Sequence, residues 1–335
     1  MTIADQAATL LHVSNLYHAA PQIHLAKLLI EHSFADRVFF SNSGAEANEA
    51  ALKVARKYAR ERIASDRVEF VATRNSFHGR TFAALAATGQ EKYQHGFEPL
   101  VPGFKHVPYN DLRAMERAID NRTAGVIVEC IQGEGGVHVA DEDYLRGLRK
   151  LCDQSGALLI LDEIQTGVAR TGRLWAYQHY GIEPDIMTLA KALANGVPIG
   201  AMLTREDIAS VLIAGTHGST FGGTPFVTSV ALATMTTVLD GKLWEQAAQR
   251  GRYLMDGLRT IQASNPKVQV VRGRGLLIGA ELSVSAGPIV DACREAGLLV
   301  LSAGERVLRL TPPLIVEERE CEQALGIIKT VLGRA

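Results

Sequence analysis

Three short stretches end an apolar run on a residue with chemical capacity. In the first, Phe39-Phe40 leads through Ser41-Asn42 into Ser43-Gly44-Ala45 and a helical pattern. Ser43 can cap that helix, and Gly44 lacks the Cβ that would block a close approach. The free N–H groups and positive end of a helix then make an anion site. In the second, Leu159-Ile160-Leu161 runs into Asp162, followed by Glu163-Ile164-Gln165-Thr166-Gly167. Open α/β sheets gather ligands at the C-terminal ends of their strands, where a carboxylate can solvate a buried cation or ligate a metal. In the third, Met187-Thr188-Leu189-Ala190 ends on Lys191. A desolvated lysine at such a place becomes a better amine nucleophile. Each stretch taken alone has an ordinary explanation: a capped helix start, a loop aspartate capping the next element, a snorkelling surface lysine.

The three are less ambiguous together. A phosphate-ready helix end, a strand-end Asp162 and, 191 − 162 = 29 residues later, a strand-end Lys191 are the parts that pyridoxal 5′-phosphate (PLP) requires. That cofactor takes a lysine Schiff base, an anionic partner for its pyridinium nitrogen, and a phosphate cradle. No G-x-x-x-x-G-K-[ST] nucleotide loop occurs in the sequence.

The elements that must position these residues follow an alternating rhythm. Arg37–Asn42, Val68–Ala72, Gly125–Glu129, Ala157–Leu161 and Ile186–Leu189 read as strands, most of them unbroken apolar runs of the kind buried on both faces. Helical patterns lie between them, over Ala45–Ile63 and over Asp141–Ser155 with Asp141 as the expected cap. Strand–helix alternation predicts an α/β fold with a mostly parallel sheet. After about Thr224 the texture changes to two long helical stretches, Pro225–Leu239 and Leu243–Ala263. Strand-like Val268–Leu282, Leu298–Leu301 and Val307–Leu310 follow, then a last helix over Glu317–Leu332. The expected organisation is a large domain over 1–224 and a smaller α+β domain over 225–335.

Composition excludes other classes. Of 335 residues, 35 are Lys or Arg and 36 Asp or Glu, a net charge of −1 that lacks the basic footprint of a nucleic-acid binder. With 47 % hydrophobic and 21 % charged residues the chain is neither disordered nor fibrous. No apolar stretch has the length of a membrane span, and the N-terminus does not read as a signal peptide. Four cysteines without a C-x-x-C pair point to the cytoplasm and away from a disulfide or zinc framework. No metal, nucleic acid or membrane partner is expected.

Nine phrases in order then carry a family resemblance: HVSNLYH (12–18), FFSNSGAEANEAALK (39–53), FHGRT (77–81), KYQHGFEPLVPGF (92–104), ECIQGEGG (129–136), LDEIQTG (161–167), LAKALANGVPIGAM (189–202), HGSTFGGTP (217–225) and LRLTPPL (308–314). The chain resembles the class III PLP-dependent aminotransferases of fold type I over nearly its whole length. The resemblance implies that Lys191 carries the cofactor and shuttles the proton, and that Asp162 pairs with the pyridinium nitrogen. It implies cofactor contacts from Gly44, Ala45, Phe77 stacked on the ring, His78, Glu163, Ile164 and Gln165, the last at the phenolic oxygen. Thr220 would reach the phosphate of the neighbouring subunit, which implies a homodimer with shared active sites. Arg80 and Ser219 would touch substrate, Arg309 would bind a 2-oxoglutarate carboxylate, and Glu134 would pair with Arg309 when an ω-amine is bound. The implied substrates are N2-acetylornithine and 2-oxoglutarate. Ornithine, succinylornithine, 4-aminobutyrate and a carrier-linked aminoadipate semialdehyde are alternatives on the same motifs, as are an aminomutase and an inactive PLP-binding protein.

The sequence departs from the family's pattern in places. Only Met1–Leu11 precedes HVSNLYH, where family members carry a longer segment, so a chain short at its N-terminus is expected, with substrate affinity and dimer stability the properties affected. Cys130 stands where Pro is usual and Thr224 where Asn is usual.

Overall fold

The computed structural model describes residues 2–334. Its elements begin with helices α1 (Thr2–Thr9) and α2 (Ala20–Glu31), strand β1 (Arg37–Ser41) and helix α3 (Gly44–Tyr58). Strands β2 (Glu69–Thr73), β3 (Phe104–Val107) and β4 (Thr123–Glu129) follow, then a short hairpin of β5 (Ile131–Gln132) and β6 (His138–Val139). Next come β7 (Leu158–Asp162), β8 (Ile186–Leu189) and β9 (Gly200–Thr204), and finally β10 (Val268–Arg274), β11 (Leu277–Leu282), β12 (Leu301–Ala303) and β13 (Val307–Leu310). The chain divides into two compact units. The first runs to Cys130 and resumes over Ala140–Gly167 and Tyr177–Leu239; the second comprises Ile131–Val139, Val168–Ala176 and the chain from Asp240 onward. Helix Pro225–Asp240 thus belongs almost wholly to the first unit, and two short inner segments belong to the second.

The first unit is built on a seven-stranded sheet of order β1-β9-β8-β7-β4-β2-β3. Pairings from β8 through β7, β4 and β2 to β3 are parallel, and β9 runs antiparallel to both β8 and β1. Every residue of β4, β7, β8 and β9 is buried, which is why their sequences are apolar almost without alternation. On one face Phe70, Ile127, Ile160, Ile186 and Met202 pack against Ala50, Ala51, Val54 and Ala55 of α3. The alanines let α3 lie close to the sheet, and each large apolar side chain buried here stabilises the fold by roughly 1.5–3 kcal/mol. Because β4, β7 and β8 are parallel, their C-terminal ends align: Glu129 pairs with Asp162, and Asp162 with Thr188.

The second unit carries a four-stranded antiparallel sheet of order β10-β11-β13-β12, whose core joins Leu254, Leu258 and Ile261 to Ile278, Leu308, Leu310 and Ile328. The stretch expected as strand-like over Val268–Leu282 is a hairpin, because Gly275 (φ +54°) turns the chain between β10 and β11. Other boundaries shift for local reasons. The helical run ends as a π-helical turn over Ala59–Ile63, and Asp141 precedes helix Glu142–Ser155 without making a side-chain cap. Among the described residues no helix is long and apolar enough to cross a membrane.

One close approach links the sheet to the start of α3. A Cβ on Gly200 would lie 2.2 Å from the Ser43 carbonyl oxygen and 2.5 Å from Ser41 Oγ. Gly200→Ala is therefore expected to lower stability by about 1–3 kcal/mol through overpacking. Chemical denaturation checks this; a variant with wild-type stability would contradict the tight passage of β9 past Ser43.

Candidate functional site

The sequence from β1 into α3 makes a well-capped helix start. Ser43 is extended (φ −154°, ψ 165°), and its hydroxyl accepts the Glu46 amide at 3.2 Å. Glu46 reaches back so that its carboxylate accepts the Asn42 N–H at 2.6 Å, a reciprocal arrangement close to a capping box. The N–H groups of Gly44 and Ala45 have no acceptor among the described residues, so they remain available to an anion at the positive end of α3. Gly44 lets Ile164 pack closely, since a Cβ there would lie 2.8 Å from the Ile164 side chain and push it aside.

Asp162, at the end of β7, is 4 % exposed and well supplied with donors. Its Oδ1 accepts the Ile164 N–H at 3.0 Å, and its Oδ2 accepts from Asn48 Nδ2 at 2.8 Å and lies 2.8 Å from His78 Nδ1. A carboxylate offers about four acceptor positions, so one is left for a further donor. Phe77 presents its ring edge-on to Tyr93, centroids 5.5 Å apart, and its N–H is accepted by the buried Glu129 carboxylate at 3.1 Å. Beneath Glu129, Tyr109 donates to the Glu129 carbonyl at 2.8 Å, and burial pushes the Tyr109 phenol well above its ordinary value, so it stays a neutral donor.

Lys191 follows β8 at φ +40°, a left-handed conformation that costs energy for a non-glycine residue and recurs at functional sites. Contrary to the desolvated lysine expected from the sequence, Lys191 is exposed, because it stands on the wall of an open cavity rather than within the sheet. That cavity, about 450 Å³, brings together Gly44, Ala45, Phe77, His78, Arg80, Asp162, Ile164, Gln165 and Lys191. Unpartnered helix amides, an acceptor left on Asp162, an aromatic wall and an amine in one cavity fit PLP, whose phosphate, ring nitrogen, ring face and aldehyde need those groups.

Other expected residues lie elsewhere. Glu163 does not line the cavity; it is 1 % exposed and its carboxylate accepts the Tyr177 N–H at 2.8 Å. Ser219 and Thr220 line a separate cavity of about 370 Å³, in which Ser219 Oγ accepts from Asn42 Nδ2 and the Gly222 N–H, while Thr220 is exposed. Nearby, burial and the adjacent Lys53 lower the pKa of His217, 2.8 Å from Lys53 Nζ. Arg80 is exposed with its guanidinium 4.8 Å from the Tyr93 ring centroid. In the second unit Arg309 donates to Glu134 Oε1 at 2.7 Å and to the Gly133 carbonyl at 2.9 Å, and its buried Nε has no partner among the described residues. A further cavity of about 470 Å³ along α3, lined by Lys53, Arg56, Lys57 and Arg60, holds none of the expected site residues. Asn48 and Glu129, which sequence reading did not single out, touch the expected site residues directly.

The Aminotransferase class-III family model matches residues 1–332. The chain is 49 % identical to the acetylornithine aminotransferase of Caldanaerobacter subterraneus subsp. tengcongensis, covering 99 % of this chain and 84 % of that protein. It is 48 % identical to the acetylornithine aminotransferase of Methanocaldococcus jannaschii, covering 98 % and 83 %. A solved structure of Toxoplasma gondii ornithine aminotransferase, with PLP at partial occupancy in its active site, superposes at a TM-score of 0.95 with 37 % identity over 99 % of this chain and 80 % of that one.

The Arg309–Glu134 pair yields a prediction. The Glu134 carboxylate occupies the guanidinium that an external carboxylate would use. Glu134→Gln removes that competitor, so the protein is expected to bind a small dicarboxylate such as 2-oxoglutarate about threefold to tenfold more tightly. Isothermal titration reads this; unchanged or weaker binding would contradict it.

Proposed function

The chain belongs to the class-III aminotransferases, and on that premise we propose that it moves the terminal amino group of N2-acetylornithine to 2-oxoglutarate. The products are N-acetylglutamate 5-semialdehyde and glutamate, in a step of arginine biosynthesis. The observation that carries this reading is the shared cavity of Lys191, Asp162 and the Gly44–Ala45 helix start, in a chain nearly half identical to acetylornithine aminotransferases of a bacterium and an archaeon.

PLP, when bound, supplies an aldehyde that takes up amines and a ring that accepts the electrons of a breaking C–H bond. The chain's residues do the rest. The α3 amides of Gly44 and Ala45 hold the phosphate, with Ile164 closing over Gly44. Asp162 accepts from the ring nitrogen and keeps its proton in place, and only an anion sheltered from water does this well. Phe77 would offer its ring to the face of the cofactor with His78 beside it, and Gln165 would meet its phenolic oxygen. Lys191 Nζ, on the cavity wall, would be the amine that anchors the cofactor and the base that moves the substrate's proton. Glu163 acts behind the site, bracing the Tyr177 backbone.

Substrate choice falls to the arginines. Arg80 is exposed at the cavity and suits a bidentate carboxylate grip. Arg309 takes a carboxylate of 2-oxoglutarate, while Glu134 covers the guanidinium when an ω-amine donor is present. Thr220 and Ser219 serve the site of a second copy, so that the enzyme is a homodimer; the exposure of Thr220 supports this reading. The large part, over 1–224, holds the cofactor, and Arg309 belongs to the smaller part over 225–335. Four buried free cysteines support a reducing, cytoplasmic setting.

Reconstitution tests the reading. The PLP-loaded protein is expected to show the visible absorption of a lysine-bound aldehyde, to lose it on adding N2-acetylornithine, and to regain it with 2-oxoglutarate. Lys191→Ala should lower turnover by about a thousandfold or more, since it removes the proton carrier and the covalent anchor together. A kcat/KM for ornithine or 4-aminobutyrate above that for N2-acetylornithine would overturn the substrate assignment; absence of the band would overturn the enzyme.

A further inference from the structure

Asn48 is an unusual residue for its place. It sits inside α3 on a face otherwise made of Ala47, Ala51 and Ala55, and it is fully buried. Asparagine is a weak helix former, and a buried amide is costly unless its hydrogen bonds are met. Here all are met. Oδ1 accepts from Thr188 Oγ1 at 2.8 Å, while Nδ2 donates to Asp162 Oδ2 at 2.8 Å and to the His78 carbonyl at 2.7 Å. The amide has one workable orientation, because turning it over would set its oxygen against two acceptors at once. Thr188 stands opposite Asp162 in the β7–β8 register, so the Thr188–Asn48–Asp162 chain ties together the elements carrying the lysine, the anion site and the carboxylate.

We propose that Asn48 is a positioning residue for the cofactor's ring nitrogen: it holds Asp162 so that the one open acceptor of the carboxylate, on Oδ1, is kept for the ring N–H. The inference rests on the reading of Asp162 under Proposed function. The two donors on Oδ2 do not act alike. The His78 ring is held through its own backbone, with its N–H on Thr88 Oγ1 at 2.9 Å and its carbonyl on Asn48. Asn48 therefore fixes Asp162 both directly and through His78. Rotation of the carboxylate would break the Asn48 and His78 contacts together, which leaves Oδ1 with the Ile164 amide and one vacant lone pair. The Thr188 hydroxyl, one link further back, fixes Asn48.

The test compares two ligands on the apoprotein: PLP and its carbocyclic analogue in which a C–H replaces the ring nitrogen. Both use the phosphate site and the lysine; only PLP uses Asp162 as an acceptor. Wild type should bind PLP more tightly than the analogue. Asn48→Ala should cut that preference about tenfold or more while affinity for the analogue changes far less. Thr188→Val should reduce the preference in the same direction by a smaller factor, and Thr188→Ser should restore it. Equal weakening of both ligands by Asn48→Ala would overturn the proposal and leave Asn48 a packing residue. Should Asn48→Ala not fold, an unchanged preference in Thr188→Val overturns it. A wild-type protein that binds neither ligand overturns the cofactor reading itself, and the inference with it.

Discussion

The site depends on holding one buried carboxylate in place by hydrogen bonds from three sides. Asp162 is buried at the end of an entirely apolar strand. An isolated buried carboxylate costs several kcal/mol, which hydrogen-bond donors set around it offset. Asn48, His78 and the Ile164 amide are those donors. They come from α3, from the loop after β2 and from the turn after β7, so three separate parts of the chain must close on one side chain. The parallel order β2-β4-β7-β8 brings them to one sheet edge. A change of register by one residue would move Asp162 to the other face of the sheet.

The same constraint explains the small residues around it. Gly200 passes the Ser43 carbonyl at a distance no side chain tolerates, Gly44 packs tightly against the Ile164 side chain, and together they let α3 start where its amides open into the cavity. Lys191 accepts a left-handed backbone at the end of β8. Such strain persists where the surrounding structure over-determines it, and here β7 and β9 bind β8 on both sides. The second unit contributes a separate device. Arg309 and Glu134 form an ion pair shielded from solvent on the arginine side.

What was legible in the sequence were the points where an apolar run stops on a polar residue. Ser43-Gly44, Asp162 and Lys191 all sit at such stops, and the structure gathers them in one cavity. The parallel core was legible for the same reason, since strands buried on both faces have no alternation to hide them. Strand β9 was not anticipated, because Gly200-Ala201-Met202 at its start lacks the β-branched signature. Nor was β3, a short half-buried run at the sheet edge. Asn48 and Thr188 were silent in a different way. Each is one polar residue inside a regular element, with no spacing to mark it, and only the fold shows that their hydrogen bonds end on Asp162. The exposure of Lys191 was hidden too, because burial at a strand's end depends on a cavity that pattern cannot reveal. Glu163 lies beside Asp162 in sequence, yet just past the end of β7 its carboxylate turns to the Tyr177 N–H instead of the cavity.

The central claim is that Asp162 holds a proton on the ring nitrogen of bound PLP. Nitrogen NMR of the protein loaded with ring-labelled PLP tests it most directly. The account predicts a protonated nitrogen with a resolved one-bond coupling to hydrogen at neutral pH, lost in Asp162→Asn. An unprotonated nitrogen in the wild-type protein would contradict it.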